Sequence, residues 1–418
     1  MRFGAKELLT EGFIRCTGRI LLLAGAFLLS LQNAFAANLK WEPALRTWEK
    51  PPRAPEPERE ILSALKWEGS LKGLVISSRT PHPENERYTQ AVTRLRMKVS
   101  AGNEAVRLRM EHDLEWSGGS LYRRPSYLQH QAQLPPPTRW DGESTLKQSD
   151  SWRLAQRPYR ATLAVRKGPA DVTLGRQRIP LGLGRFYSAL DVLNPHNPSQ
   201  VEGEEKVGVD ALKLEYTTES SSRFIGVLAP DPTRLGNSRL LRYQAHAYAS
   251  DIAATVGKIR RDRLYGADVA TQWKDAGVRG ELVMVEPELG SRYGRVLVGV
   301  DYAFSNGMSF SVEGYASGQS MASRRATLQA DPWRLYVEPQ GRRYAGGELR
   351  YEPNPIFQFS STILYNTEDR GAFWGSKAQY LPAESVVLTF GMQNFFGKAD
   401  TEFGGMHFLS YLSSQWYF

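Results

Sequence analysis

The sequence predicts an all-β fold, a single antiparallel up-and-down β-barrel of about 18 strands. Three observations predict it: apolar and polar residues alternate with a period of two, the alternating segments are even in number, and the connections between them alternate between tight turns and longer loops. These are the properties of a barrel whose strands pair with their sequence neighbours. A large barrel can use most of a 418-residue chain as one domain.

Residues 1–36 have the features of a removable signal peptide. Basic residues precede an apolar stretch at 20–31, and Ala34 and Ala36 are small residues at the positions that a signal peptidase requires. Twelve helical residues span only about 18 Å, whereas the hydrocarbon core of a membrane is about 30 Å thick. The segment therefore indicates export rather than a membrane anchor.

Composition excludes several classes of protein. The one cysteine, Cys16, leaves with the signal peptide, so the mature chain has no thiol for disulfides, zinc, iron–sulfur clusters or haem attachment. We expect no cofactor and no metal site. After the leader no apolar run reaches the 18 residues of a membrane-spanning helix, which excludes a helical membrane protein. The net charge of +9 is too mild for a charge-dominated nucleic-acid binder, so no nucleic acid is expected as a partner.

Residues 37–66 are predicted to form an extended, proline-rich periplasmic tail. Pro51, Pro52, Pro55 and Pro57 lie within seven residues of one another, and prolines at this density interrupt both helices and sheet ladders. The barrel is then expected to occupy residues 67–418.

The segment 104–116 shows the strand alternation most plainly. One face carries apolar side chains, namely Val106, Leu108, Met110, Leu114 and Trp116, and the other carries Arg107, Arg109, Glu111, Asp113 and Glu115. No helix would sort these residues in this way. The same reasoning places strands at 67–79, 87–99, 104–116, 159–167, 171–178, 206–217, 222–229, 239–249, 252–260, 264–274, 277–285, 294–304, 308–317, 342–352, 356–366, 371–380, 386–395 and 405–418.

The connections fall into two classes that alternate along the chain. Every second one is a tight turn rich in Gly, Asn, Asp or Pro, as at 101–103, 275–277 and 305–307. The other class contains all three long connections, 117–158, 179–205 and 318–341. One weak hairpin, near 251–263, leaves 16 strands as an alternative to 18.

The last predicted strand carries Phe408, Leu412, Trp416 and Phe418 on one face. Together with the export signal, it resembles the C-terminal strand of bacterial outer-membrane β-barrels, which serves there as the signal read by the barrel-assembly machinery. The resemblance implies a transmembrane barrel in the bacterial outer membrane, in contact with membrane lipid and lipopolysaccharide. It also implies a periplasmic C-terminus, which would place the long connections outside the cell. The alternative is a soluble periplasmic protein that buries this strand.

A barrel of 18 strands is wide enough to enclose an aqueous channel. Alternation predicts a set of charged pore-lining residues: Arg94, Arg96, Lys98, Arg107, Arg109, Glu111, Asp113, Glu115, Arg160, Arg166, Arg242, Arg295, Asp301, Glu348 and Arg350. On the whole of this face, alternation places twelve cations and nine anions, and this small excess of cations favours a weak anion preference. The alternative is that these charges pair across neighbouring strands and only stiffen the wall.

Residues 174–184, LGRQRIPLGLG, are followed by the pattern D-x-x-N-P at 191–195. Together they resemble the GRQ strand, glycine-rich bend and loop of porin-like families related to alginate-export channels. The resemblance implies a porin-like channel, which would serve the passive diffusion of small hydrophilic solutes. The glycines permit a tight bend and Asn194-Pro195 a rigid turn, so the loop could fold inward as a constriction. Arg176 and Arg178 share the apolar face of their strand, so either a bulge at Gly175 turns them inward or they meet lipopolysaccharide phosphates at the rim.

Two other functions stay open at this point. The barrel could be the insulating sleeve of an electron conduit, in which case multihaem cytochromes would be its partners. An outer-membrane barrel enzyme is a remoter alternative, because such chemistry needs a nucleophile or activated water beside a histidine and an acid. None of the six histidines lies in such a setting, and His246 falls on the inward face with no partner evident in the sequence. No catalytic residue is therefore predicted.

Overall fold

The computed structural model describes residues 65–80, 85–124, 138–140, 142–194, 198–202, 208–231, 236–320 and 339–418. Contacts divide the chain into two units, Met1–Pro55 and Glu56–Phe418, and every described residue belongs to the second. The predicted signal peptide, and the predicted tail up to residue 64, lie outside the described residues.

The described residues form a closed antiparallel barrel of 18 strands, with one additional strand, β4, inside a connection. The strands are β1 Lys66–Arg79, β2 Arg87–Gly102, β3 Val106–Gly119, β4 Ser144–Ser149, β5 Trp152–Lys167, β6 Ala170–Gln177, β7 Val209–Thr217, β8 Arg223–Ala229, β9 Ser238–Ala247, β10 Ser250–Ile259, β11 Asp262–Trp273, β12 Ala276–Glu286, β13 Tyr293–Ala303, β14 Met308–Ser317, β15 Arg343–Asn354, β16 Phe357–Asn366, β17 Ala372–Ala383, β18 Val386–Phe396 and β19 Leu409–Tyr417.

Each barrel strand pairs with its neighbours in the sequence, and β1 closes the ring by pairing with both β2 and β19. β3 pairs directly with β5, and β4 pairs with the first residues of β5, from Trp152 to Gln156. The predicted count of 18 barrel strands is confirmed. The weak hairpin near 251–263 is present as β10 and β11, so the alternative of 16 strands is wrong.

Short turns join the strands at one end of the barrel, which we call the turn end. At the turn after β2, for example, Asn103 Oδ1 accepts hydrogen bonds from the backbone N–H groups of Ala105 and Val106, both at 2.9 Å. Gly102 has φ +116°, a conformation that favours glycine. The three long connections all lie at the opposite end, which we call the long-loop end.

The two faces of the wall differ as the alternation predicts. Large apolar side chains such as Leu108, Leu241 and Val298 are exposed on one face, while charged side chains such as Asp113 and Glu281 are buried on the other. Ser120–Arg123 forms a short 3₁₀ helix. In the described part of the chain, no helix is long and apolar enough to cross a membrane.

The strand β5 contains a bulge that the alternation does not predict. Glu111 pairs with Arg160 and His112 pairs with Pro158, so Tyr159 is an extra residue. The bulge places Tyr159 and Arg160 on the charged face together. The Tyr159 ring centroid lies 3.6 Å from the guanidinium carbon of Arg96 and 5.0 Å from that of Arg160, both within the range of a cation–π interaction.

Candidate functional site

The connection between β6 and β7 lies inside the barrel. Its residue Glu202 contacts Lys72 of β1 and Arg94 of β2, while its earlier residues contact Glu281 of β12 and Glu313 of β14. A segment that touches strands on different sides of a closed sheet must lie within it. We call its described residues, 179–194 and 198–202, the inward loop. The charged face of the wall is therefore the interior face.

The first half of the inward loop wraps around the carboxylate of Glu281. This carboxylate accepts hydrogen bonds from four backbone N–H groups, at Leu183, Gly184 (2.9 Å), Ala189 (2.7 Å) and Leu190 (3.0 Å). The Ser188 hydroxyl donates a fifth at 2.9 Å. Glu281 itself is buried, at 3% exposure. A buried carboxylate with this many donors holds the loop in one conformation.

A second buried carboxylate, Glu313, holds the middle of the loop. It accepts hydrogen bonds from the backbone N–H groups of Arg185 (2.7 Å) and Phe186 (3.0 Å), and from the Arg279 guanidinium at 2.7 Å. Arg185 also places its own guanidinium 2.9 Å from Asp301, on the next wall strand. Main chain and side chain of Arg185 are thus both fixed to the wall.

The far end of the inward loop is held by an ion pair. The Glu202 carboxylate accepts two parallel hydrogen bonds from Arg94, each 3.0 Å long, and lies 2.9 Å from the ammonium of Lys72. Burial alone would raise the pKa of Glu202, but Arg94 and Lys72 outweigh it and lower that pKa to about 2. Glu202 is therefore ionised at neutral pH.

An apolar core fills part of the interior between the inward loop and the wall. The loop contributes Ile179, Leu181, Phe186, Ala189, Leu190 and Leu193, and the wall from β7 to β17 contributes residues such as Val227, Leu240, Leu264, Val283, Leu297, Leu364 and Phe373. The interior face is therefore not polar throughout. The wall residues have the parity of the charged face, which is the sequence signal that could have indicated an internal core.

The predicted pore-lining residues near β2 and β3 form a paired cluster. Arg96 binds Asp113 at 2.6 Å, and Arg94 binds Glu115 at 2.8 Å in addition to Glu202. Asp113 is completely buried. This cluster supports the alternative in which charges pair across neighbouring strands and stiffen the wall.

Nearer the turn end, the predicted cations share carboxylates in the same way. Arg107 and Arg166 both bind Asp171, the latter at 3.1 Å, and Arg109 lies 2.9 Å from Glu111. Lys98 is half-buried in register with Glu111. The structure does not bring these residues to the inward loop.

On the other side of the barrel the predicted residues are likewise engaged with the wall. Arg242 binds Asp268 at 2.6 Å and the Thr255 hydroxyl at 2.8 Å. Arg295 donates a hydrogen bond of 2.9 Å to the Tyr293 hydroxyl. Asp301 binds Arg279 and the loop residue Arg185.

A cavity of about 250 Å³ lies between the inward loop and the wall formed by β15 to β19. Arg185, Arg350 and Lys377 contribute cations to its lining, and Glu348, which is hydrogen-bonded to Arg350, contributes the carboxylate. The remaining lining is uncharged and mixed. It has polar members, including Gln200, Ser360, Thr362 and Gln393, and apolar members, including Phe186, Val201, Phe373 and Met392.

Of the predicted residues, the structure brings Glu348 and Arg350 to this cavity. Sequence reasoning missed Lys377, although its alternation with Trp374 and Tyr380 on the exposed face would have placed it inward. It also missed Arg185, for which no periodicity exists because it lies in a loop.

The structure contradicts both positions that were predicted for the Arg176 side chain. Its side chain neither turns into the lumen nor lies open at the rim, because it is 6% exposed and binds Asp210 at 3.0 Å. Thr138 accepts a further hydrogen bond from it at 2.7 Å, and the Trp140 N–H donates one to Asp210 at 2.8 Å. The connection between β3 and β5 therefore covers this pair, whose two charges neutralise each other.

The C-terminal strand lies where the alternation predicts. Phe408, Trp416 and Phe418 are exposed on the outer face, and Leu412 is half-buried. Phe418 closes the barrel against β1, since its backbone N–H and C=O both bond to Gly69, at 3.0 and 2.7 Å. Its role as an assembly signal stays a prediction.

Comparison with known proteins supports the fold. No family model matches the sequence, and no curated protein matches it, so the resemblance to alginate-export channels stays a prediction. Among solved structures, the chain is similar to OccK2 (OpdF) of Pseudomonas aeruginosa, with a TM-score of 0.54 and 8% identity over 84% of this chain and 97% of that one. It is also similar to the outer membrane protein OprD of Pseudomonas aeruginosa (TM-score 0.52, 8% identity, 85% and 93% covered) and to OccAB3 of Acinetobacter baumannii (0.51, 9%, 85% and 99%).

Proposed function

We propose that this protein is a porin-like channel of the bacterial outer membrane, through which small hydrophilic solutes diffuse passively with a weak preference for anions. Its exposed apolar outer face, its closed barrel and its likeness in fold to an outer membrane protein support the location. In this proposal the long-loop end faces the outside of the cell and the turn end faces the periplasm.

The observation that carries the proposal is the cavity beside the inward loop. The inward loop packs against the wall from β7 to β17, reaches β1 and β2 at its far end, and leaves this cavity along β15 to β19. Three cations line this cavity: Arg350 is paired with Glu348 and Arg185 with Asp301, so Lys377 leaves a net excess of one positive charge. An excess of positive charge along a pore favours anions.

The inward loop counts against the cytochrome sleeve. A sleeve must leave its interior free for a folded partner, whereas here Phe186 and Leu190 of the loop are buried against the wall. Removing the loop would expose this apolar surface to water, at a cost of about 25 cal/mol for each Å². The loop is thus an integral part of the barrel interior.

Conductance in a planar lipid bilayer across a KCl gradient tests the proposal. We expect stepwise openings, with a reversal potential that indicates a weak anion preference. The variant Arg350→Gln/Lys377→Gln should shift this potential toward cations, by a few-fold in permeability ratio, because a nearby unit charge contributes about 1 kcal/mol in water.

The matched control is Lys147→Gln/Lys398→Gln, which removes one exposed charge on β4 and one in the connection after β18. Neither residue lines the cavity, so the reversal potential should stay unchanged. A folded barrel that never conducts would contradict the channel. A barrel that conducts with the same reversal potential before and after Arg350→Gln/Lys377→Gln would contradict the proposed path.

A further inference from the structure

A row of three cations lies on the outer face of the barrel, at the long-loop end of β9, β10 and β11. Lys258 is directly in register with Arg239 on one side and with Arg263 on the other. Each is one residue from the end of its strand. Their parity is that of the exposed apolar residues Leu241 and Tyr265, so they point away from the interior. We call these three residues the cation row.

The cation row is poor in neutralising carboxylates. Arg263 lies 4.0 Å from the carboxylate of Glu286, which Arg292 holds more closely, at 2.8 Å. Within the described part of the chain, Arg239 and Lys258 make no ion pair. Arg260, in the adjoining turn, differs in this respect because it is buried against Asp231.

An apolar groove begins next to the cation row. Two residues further along each strand, about 7 Å away, Leu241 and Val256 are exposed and line a cavity of about 460 Å³. The groove exists because Gly226 has no side chain between Leu214 and Leu241. A Cβ at Gly226 would lie 3.6 Å from Leu241 and 3.9 Å from Leu214, so the position has room for a larger residue.

A cation that faces lipid destabilises the barrel unless it lies at the level of the lipid headgroups. On the lipid-facing surface of a barrel, an Arg or Lys is strongly destabilising at the centre of the membrane and nearly neutral near the interface. The position of the cation row at the strand ends therefore indicates the headgroup region. Guanidinium and ammonium groups bind phosphate through short, charge-assisted hydrogen bonds.

We infer that this outer face binds a phosphorylated acyl lipid of the outer leaflet, with a phosphate on the cation row and an acyl chain in the groove at Gly226. The inference rests on the proposed function, because the location and orientation proposed there place the cation row in the outer leaflet. Two partners could cover this face, a phosphorylated lipid or a second copy of this chain, and the charge of the cation row favours the lipid. A phosphorylated lipid supplies anions at headgroup level, whereas a second copy would have to present carboxylates there.

Native mass spectrometry of the full barrel in detergent, titrated with bis-phosphorylated lipid A, tests the inference. Arg239→Gln/Lys258→Gln/Arg263→Gln should weaken binding about tenfold or more. Gly226→Leu, which fills the groove, should weaken it while leaving the three cations in place. The control Lys147→Gln/Lys274→Gln/Lys398→Gln changes the net charge equally at exposed positions and should bind like the unaltered protein.

Dephosphorylated lipid A separates phosphate recognition from acyl binding. We expect the unaltered protein to bind it about tenfold more weakly, and the triple cation variant to bind both lipids alike. Equal binding of both lipids by the unaltered protein would overturn the inference, as would undiminished binding by the triple variant. So would a change in oligomeric state, without lipid, on altering the cation row, because it would assign this face to a second copy.

Conductance recorded on the same preparations keeps the two proposals distinguishable. A conducting barrel without a phosphate-dependent lipid site would refute the site alone. A barrel that binds the lipid through the cation row but never conducts would refute the channel alone. Heat-modified mobility in electrophoresis shows that each variant is folded.

Discussion

At the scale of single residues, Glu281 accepts more hydrogen bonds from the inward loop than an amide could. We expect Glu281→Gln to leave at least two of the four backbone N–H groups without an acceptor, at a cost of about 1 to 3 kcal/mol each. The loop should then leave its single conformation. Single-channel recording should show larger or strongly fluctuating conductance.

Glu111→Gln is the matched control for this change, because Glu111 is equally buried on the interior face but binds Arg109 rather than the loop. Its conductance should stay steady. A steady, unchanged conductance in Glu281→Gln would show that the loop does not depend on this carboxylate.

Glu402, in the connection after β18, is a second residue with a specific prediction. Its carboxyl accepts hydrogen bonds from the Tyr344 hydroxyl (2.5 Å) and from the Asn366 amide (2.9 Å), and its backbone N–H binds Asp369. Burial raises the pKa of Glu402 above its ordinary value, and the negative charge of Asp369 adds to the increase. At a pH between the ordinary and the raised pKa of Glu402, the docked connection therefore binds more protons than a detached connection does.

The pH dependence follows from this difference in protonation. Docking of the 397–408 connection is fully favourable below the ordinary glutamate pKa of about 4.3 and weakens as the pH rises through the raised pKa. Hydrogen–deuterium exchange of this connection, corrected for intrinsic rates, should increase across that window. Glu402→Gln, which resembles the protonated acid, should remove the dependence, and an equal pH response in this variant would contradict the assignment.

At the scale of elements, Phe418 contacts Gly69 where the barrel closes between β19 and β1. A Cβ at Gly69 would lie only 2.5 Å from the Phe418 Cζ atom. We expect Gly69→Val to displace the Phe418 side chain and to lower the free energy of unfolding by about 1 to 3 kcal/mol. In a Phe418→Ala background the same change should cost much less, because the two sites share one contact.

Gly314→Val is the control, since a Cβ there meets nothing within 4 Å and β-branched residues suit strands. Urea unfolding in detergent measures all four combinations. Additive costs at Gly69 and Phe418 would show that the contact does not stabilise the closure.

At the scale of the whole molecule, the barrel interior is divided into unlike parts. The walls of β2 and β3 are stiffened by paired charges, the strands from β7 to β17 hold the inward loop on an apolar core, and the wall of β15 to β19 borders the cavity. Solutes are therefore expected to pass along β15 to β19 rather than through the centre.

Two adjacent serines on β16 test this path. Ser360 lines the cavity, whereas Ser361 lies on the outer face and bonds to Trp374. Because Cys16 is the one natural cysteine and lies in the predicted signal peptide, a new thiol is specific. A charged methanethiosulfonate reagent should reduce conductance about two-fold or more in Ser360→Cys, where a bulky charge enters the pore, and leave Ser361→Cys unaffected. Similar inhibition of both variants, or of neither, would contradict the path.

Much of the fold was predictable from the sequence because its signals are local. The period of two, the turn residues and the order of the connections act over a few residues each, and together they indicated 18 strands and assigned most side chains to a face. Closure against β1 also follows, because a barrel leaves no free edge. The bulge at Tyr159 was not predictable, since its extra residue interrupts the period.

The contacts that form the candidate site were decided by the tertiary structure. Alternation alone places Glu281 inward, but its partners lie 91 to 98 residues away, in a loop that has no period. Arg176 finds Asp210 and Thr138 in the same way, across separations of 34 and 38 residues. By itself the sequence determined the barrel and its two faces, because backbone pairing and alternation are repeated in every strand. Only the closed barrel decided where the inward loop lies and which charges remain beside the cavity, because those contacts join residues that are neighbours in space alone.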